Sequence, residues 1–419
     1  MTDLNNFKIT TLSNGTRIIT EFIPHINSFS LGFWFNVGAR DENQSNNGIS
    51  HFIEHMLFKG TKRRSSKRIS EEIESYGGYL NAFTSKEQTC YYTRGLSENI
   101  NRSFNVLADM IQNPLFLESH IKKEAGVVID ELRDVNDNPE ELIFDKFEEI
   151  IFCGNKLSLP VIGTESNIKK FNSRELHDYH KNKYGTDKLL IVASGAVKHD
   201  ELVKLAEKNI NRRKKKVYNR KDKFSPRRAT DLTIEKNIHQ VHTIIGRSTV
   251  GFNSKKRSRV KVLSALLGEG SSSRLFQAIR EKSGMTYQIN SFLNSYRDVS
   301  AFGVYFSTNT DLADRVLKTV LKEFEKVKEK KVSEKELNKV KNYIKGGTLL
   351  GLESTTNRMI RLANSMMYFS RLRTVEEYLD EIASVTAEDL QKVANELLAA
   401  NKLVKVTLKS KDKNISKAA

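Results

Sequence analysis

The sequence repeats itself once, and the repeat constrains the fold more than any other feature. Ser65-Ser66-Lys67-Arg68-Ile69 leads through a helical stretch to Gly77-Gly78-Tyr79. Ser272-Ser273-Arg274-Leu275-Phe276 leads in the same way to Gly284-Met285-Thr286-Tyr287. Each copy reads as a serine pair, a basic residue, a helix, a glycine and two strands, and the copies lie about 200 residues apart. A chain of 419 residues is too long for one ordinary hydrophobic core, so two domains of roughly 200 residues are expected. The expected class is α+β: two structurally similar α/β halves, with mixed or antiparallel sheets flanked by helices, enclosing a central cavity. Domain interfaces are favoured places for sites.

The pattern along the chain fills in this frame. Residues 7–22 alternate apolar and polar around Ser13-Asn14-Gly15 and read as a hairpin. Residues 28–38 read as a buried strand, and a helix follows from about Gly48. A second helix spans 66–76, and 79–95 gives two paired strands. Helices are expected over 100–112, 119–136, 173–183 and 199–210, with a strand at 188–195. Pro139 should interrupt the continuation of the 119–136 helix toward Phe152. The dense run Arg212-Arg213-Lys214-Lys215-Lys216 opens a basic stretch that reads as a solvated linker. The domains are therefore placed at 1–212 and 231–419, with the linker at 213–230. Beyond it, 241–252 and 285–308 are strand-like, and 258–267, 273–282 and 311–328 are helical.

The net charge of +18 raises nucleic acid and anionic membrane as partners. Much of it sits in the linker and in the Lys-rich tail from Lys409 to Lys417, and no basic motif is interleaved with aromatics. No nucleic-acid partner is expected. No apolar run approaches the ~18 residues of a membrane span, and no signal peptide is seen, which points to the cytoplasm. Cys90 and Cys153 make no disulfide framework. Both read as small buried hydrophobes.

The chemistry is concentrated in His51-Phe52-Ile53-Glu54-His55. On a helix, positions i, i+3 and i+4 share a face. His51, Glu54 and His55 therefore stand together, while Ile49, Phe52, Ile53 and Met56 point the other way, toward a core. Two imidazoles one turn apart can bind one zinc ion, and a catalytic zinc has three protein ligands and an open position. On the helix expected from Ser119, Glu124 and Glu131 share a face distinct from the apolar stripe of Ile121, Ala125, Val128 and Leu132. One carboxylate can bind metal and the other can support a ligand from behind. Glu131 is the better candidate for the third ligand.

Gly48 to Thr61 resembles the active-site segment of the pitrilysin family, most closely its bacterial processing-peptidase-like branch and the mitochondrial processing peptidase beta subunit. The resemblance extends over Gly77 to Ser85, Lys123 to Glu131, Gly163-Thr164-Glu165 and Ser272 to Phe276. It implies a metalloendopeptidase with one Zn2+ per chain, held by His51, His55 and Glu131. Glu54 would be the general base and Glu124 the support behind the ligands. Leu80 to Thr84 resembles the family's exposed edge strand, to which a peptide substrate adds through Asn81, Ala82 and Phe83. Arg280 and Tyr287 match a family pair that reaches the substrate carbonyl. Glu141 and Asp145 match acidic positions that recognise basic targeting peptides. The resemblance further implies a homodimer acting on peptides or unfolded segments, with basic presequence-like ones among them. The competing reading is a non-catalytic scaffold or partner subunit of the same fold. Such subunits carry degraded motifs, and here the motif is intact.

Overall fold

The computed structural model describes residues 6–211, 220, 224–226 and 228–411. The Arg212 to Lys216 cluster, most of the expected linker and the end of the Lys-rich tail lie outside the described residues.

The first sheet contains β1 (Phe7–Thr11), β2 (Arg17–Phe22), β3 (Ser28–Phe35), β4 (Tyr79–Thr84), β5 (Thr89–Leu96) and β6 (Leu189–Gly195). Their order across the sheet is β1-β2-β6-β3-β5-β4. Only β2 and β6 pair in parallel. The apolar run Phe33-Trp34-Phe35 shows why β3 is central. Successive side chains point to opposite faces. Phe33 meets Phe104, and Phe35 meets Tyr184, while Trp34 joins a cluster with Met359 and Leu362. A strand covered on both faces reads as a continuous hydrophobic run.

The second sheet contains β7 (Thr230–Lys236), β8 (Val241–Val250), β9 (Gln288–Ser295), β10 (Val299–Thr308) and β11 (Val404–Ser410), in the order β7-β11-β8-β10-β9. Strands β7 and β11 pair in parallel and the rest antiparallel. Taken in chain order, β2 to β6 and β7 to β11 follow one and the same path. The repeat read from two short segments is thus a repeat of topology. Each copy leaves its third strand, β4 or β9, at the sheet's edge.

Contacts divide the chain into two units whose membership crosses the sequence. The first comprises 1–133, 159–222 and 350–375, and the second 134–158, 223–349 and 376–419. The continuous boundaries at 212 and 231 do not describe this exchange. The Pro139–Ile151 helix packs with Ile143, Phe147 and Ile151 on Ile244, Tyr305 and Val406 of the second sheet. The Thr355–Phe369 helix packs with Met359, Leu362 and Met366 on Ile19, Trp34 and Val192 of the first. Arg358 of that helix donates to the buried Glu21 at 2.8 Å, and Thr355 and Thr356 each pair with Ser30 at 2.9 Å.

Pro139 ends one helix and begins another. The Glu118–Asp137 helix stops, Asn138 caps the Glu140 amide at 3.0 Å, and Pro139 takes the first helical position, where its missing N–H costs nothing. The segment expected to be helical over 273–282 is helical, and at Phe276–Glu281 it takes the wider π form. A wider turn does not register in a 3.6-residue count. The helices Glu334–Gly351, Thr355–Phe369, Val375–Ala383 and Ala387–Leu397, and strand β11, lie beyond the elements expected from the sequence. Cys90 is buried as expected, but Cys153 is exposed.

One residue of the basic stretch departs from its solvated reading. Arg220 is largely buried and bonds Asp41 at 2.7 Å and the Glu87 carbonyl at 2.7 Å. Burial alone would lower its pKa, and the facing Asp41 and Glu87 charges outweigh that and raise it.

Candidate metal centre

The Ile49–Leu57 helix carries the pentad. Ile49, Phe52, Ile53 and Met56 are buried at 2 % exposure or less, so the apolar stripe faces the core as its spacing predicts. The helix starts at Gly48 with φ of 98°. A Cβ there would come within 2.7 Å of the Ile162 carbonyl oxygen, so only glycine fits the left-handed turn and the close approach. Gly48 has no capping side chain, and the task falls to Glu42. Its carboxylate accepts from Gly48 N at 2.7 Å, Ser50 N at 2.8 Å and Asn47 Nδ2 at 2.9 Å. Each hydrogen bond to a charged acceptor contributes about 1.5–3 kcal/mol. Together they hold a fully buried carboxyl whose pKa burial raises, a rise that these bonds only partly offset.

On the polar face, His51, His55 and Glu131 offer ligand atoms that all lie within 4.8 Å of one another. His51 Nε2 is 3.6 Å from Glu131 Oε1, and His55 Nε2 is 3.4 Å from Glu131 Oε2. Direct hydrogen bonds are shorter, about 2.7–3.2 Å. Neighbouring corners of a tetrahedron around zinc, with bonds of about 2.0–2.1 Å, lie about 3.3 Å apart. The spacing and the donor chemistry, two imidazoles and a carboxylate, both fit such an ion.

Behind the ligands, His55 Nδ1 pairs with Glu124 Oε1 at 2.9 Å, and Glu124 Oε2 pairs with Lys59 Nζ at 2.6 Å. With the Nδ1 proton held by Glu124, Nε2 is the nitrogen that would give its lone pair to an ion. Burial alone would lower the His55 pKa. The hydrogen bond to Glu124 and the facing Glu131 carboxylate outweigh it and raise the pKa to about 9. His51 is lowered to about 4 by burial and by the charge on His55, against the pull of Glu131. Its Nδ1 is buried with no hydrogen-bond partner among the described residues.

Glu54 reaches across to β4, where the Thr84 hydroxyl donates to Oε2. Burial raises its pKa, and the Thr84 bond opposes the rise. β4 is one of the two edge strands of the first sheet. Asn81 is exposed, and its Oδ1 occupies the Ala82 N–H at 2.8 Å. Phe83 is half-buried against the cluster under the Thr355–Phe369 helix.

The remaining candidates belong to the second unit. Arg280 lies in the π-helical turn, 4.9 Å above the Phe276 ring. Tyr287 precedes β9 with 79 % exposure. Glu141 is exposed on the first turn of the Pro139–Ile151 helix and accepts from Asn138 at 2.8 Å, and Asp145 is half-buried one turn on.

Glu42 and Thr84 escaped the sequence reading. Glu42 lies upstream of the helix it caps, outside any local capping pattern. Thr84 closes the strand segment already singled out, and its hydroxyl beside an apolar Phe83 was the available signal.

Two family models match the chain one after the other. The family model described as insulinase, peptidase family M16, matches residues 17–165, which include His51, Glu54, His55, Glu124 and Glu131. The model described as the peptidase M16 inactive domain matches 170–344. The second unit contains no cluster of metal-donor side chains among the described residues. Relatives described as uncharacterized zinc proteases include one from Rickettsia felis, 33% identical over 94% of this chain and 96% of its own length. Another, from Bacillus subtilis, is 33% identical over 92% of this chain and 94% of its own. A crystal structure of a protease from Helicobacter pylori superposes with a TM-score of 0.90 at 22% identity, covering 96% of this chain and 99% of that one. A structure from Pseudomonas fluorescens described as a peptidase M16 inactive domain gives 0.89 at 18% identity over 97% and 99%. At these identities the likeness is one of fold. No helix among the described residues is long and apolar enough to cross a membrane. With both halves matched in order, and relatives a third identical over nearly their whole length, the chain belongs to peptidase family M16.

Proposed function

We propose that this chain is a zinc-dependent endopeptidase in which His51, His55 and Glu131 hold one zinc ion and Glu54 is the general base. The observation that carries the reading is the convergence of those three donors within 4.8 Å, beside a carboxylate that is not itself a donor. Bound zinc supplies a Lewis acid that polarises a carbonyl and lowers the pKa of a water. Glu54 takes the proton of the attacking water and delivers it to the leaving amine. Glu124 fixes the His55 tautomer. The β4 edge takes an extended peptide as an added strand, with Asn81, Ala82 and Phe83 lining it. Arg280 and Tyr287 contact the substrate carbonyl, and Tyr287 donates to the developing oxyanion. Glu141 and Asp145 favour basic peptides, and the chain works as a homodimer in the cytoplasm.

Stripping the metal with a chelator should abolish cleavage of an internally quenched peptide, and one equivalent of zinc per chain should restore it. Full cleavage by protein shown metal-free by elemental analysis would overturn the proposal.

The two imidazoles give a second expectation. Without metal, His55 is protonated up to about pH 9 and His51 is neutral above about 4. The raised His55 pKa stabilises the metal-free fold fully below 6.5, and that contribution is lost as pH rises through about 9. Zinc competes for the same nitrogen. Near neutral pH, binding should release about one proton, and apparent affinity should rise about tenfold per pH unit toward 9. Calorimetry in buffers of different ionisation heat measures the release directly. A buffer-independent heat would show that His55 does not give up a proton to the ion.

A further inference from the structure

We propose that Thr84 is a positioning residue for the base: its hydroxyl fixes the Glu54 carboxylate from the last position of the edge strand β4. The inference rests on Glu54 being the base.

The Thr84 hydroxyl donates to Glu54 Oε2, and no hydrogen bond reaches Oε1 among the described residues. One oxygen is thus anchored and the other is left for a proton. A glutamate side chain has three rotatable bonds, so a base without an anchor samples several rotamers. A base must meet its proton within hydrogen-bond reach, and a misplacement of about 1 Å can cost about 100-fold.

The mount of Thr84 is rigid. Threonine is β-branched and stiff at χ1. Thr84 pairs with Thr89 at the end of β4. The turn after it closes with Ser85 N on the Gln88 carbonyl at 2.8 Å. The loop after β3 braces that turn. Arg40 N bonds the Lys86 carbonyl at 2.7 Å, and the Arg40 guanidinium pairs with Glu87 at 2.8 Å, both side chains buried. Gly38 lies so close that a Cβ there would come within 2.2 Å of the Ser85 oxygen. The same loop ends in Glu42, which holds the start of the pentad helix. One loop therefore sets both sides of the Thr84–Glu54 bond. Because β4 is also the strand proposed to take the peptide, substrate register and base orientation share one element.

The test measures kcat and KM separately in zinc-replete protein for Thr84→Val, Thr84→Ala and Thr84→Ser. Both variants without a hydroxyl should lose about 10- to 100-fold in kcat, with KM within about twofold and zinc content unchanged. Thr84→Ser should recover to within about threefold of the parent. Should Thr84→Val fail to fold, Thr84→Ala reads the same loss. Adding Thr84→Val to Glu54→Gln should cost nothing further, because the anchor then has no base to hold. Unchanged kcat in the hydroxyl-free variants, a serine variant as slow as valine, or a loss fully additive with Glu54→Gln would overturn the proposal. If Glu54→Gln alone stays active, the base assignment itself fails. If only the Thr84 variants stay active, the base stands and Thr84 has no positioning role.

Discussion

Glu54→Gln is expected to lower kcat for peptide cleavage by about 10³- to 10⁴-fold while zinc stays bound at one per chain. General acid–base catalysis contributes about 10²- to 10⁴-fold per group, and Glu54 is asked to accept a proton in one step and donate it in the next. Glutamine keeps the shape and can still accept from Thr84, so the site should not rearrange. The donors His51, His55 and Glu131 are untouched. Kinetics paired with elemental analysis separate the two effects. A variant with parental kcat would remove Glu54 from the chemistry.

Glu131→Gln attacks the ion instead of the proton. Structural zinc sites gain about 10–16 kcal/mol over four donors, or about 2.5–4 kcal/mol for each. The variant should therefore bind zinc about 10²- to 10³-fold more weakly and lose activity at limiting zinc. Glu124→Gln should do less, about 10- to 100-fold, because a glutamine can still accept from His55 Nδ1. Competition with a fluorescent zinc chelator ranks all three proteins. Equal affinity of Glu131→Gln and parent would show that the carboxylate is not a ligand, and a larger effect at Glu124 would exchange the two roles.

The legible parts of this molecule were those written locally. The Ile100–Gln112 helix falls on its expected residues, because its amphipathic stripe is complete and Pro114 closes it. His51, Glu54 and His55 share a face because they share a helix. Glu131 joins them although 76 positions separate it from His55, because it too sits on the polar side of a regular helix. The illegible parts depend on partners distant in sequence. Nothing in residues 139–151 announces that their apolar face belongs to the second sheet. Nothing in the Met-rich run 359–367 assigns it to the first. Glu42 looks like one acid among many until the backbone brings Gly48 and Ser50 to it. Arg220 sits in a stretch whose composition says solvent, and two buried carboxylates decide otherwise.

The exchange of covering helices has a consequence for how the protein is made. When the ribosome has translated as far as Asn211, all six strands of the first sheet are already out or in the exit tunnel, but the surface formed by Ile19, Trp34 and Val192 is still wet. Its lid is encoded at 350–375. At ~5–20 residues per second, that face waits on the order of ten seconds in the cell. During this interval the nascent chain exposes a sticky apolar plate, which makes it a natural client for a holding chaperone. A gene cut at the linker would yield an N-terminal fragment that never leaves that state.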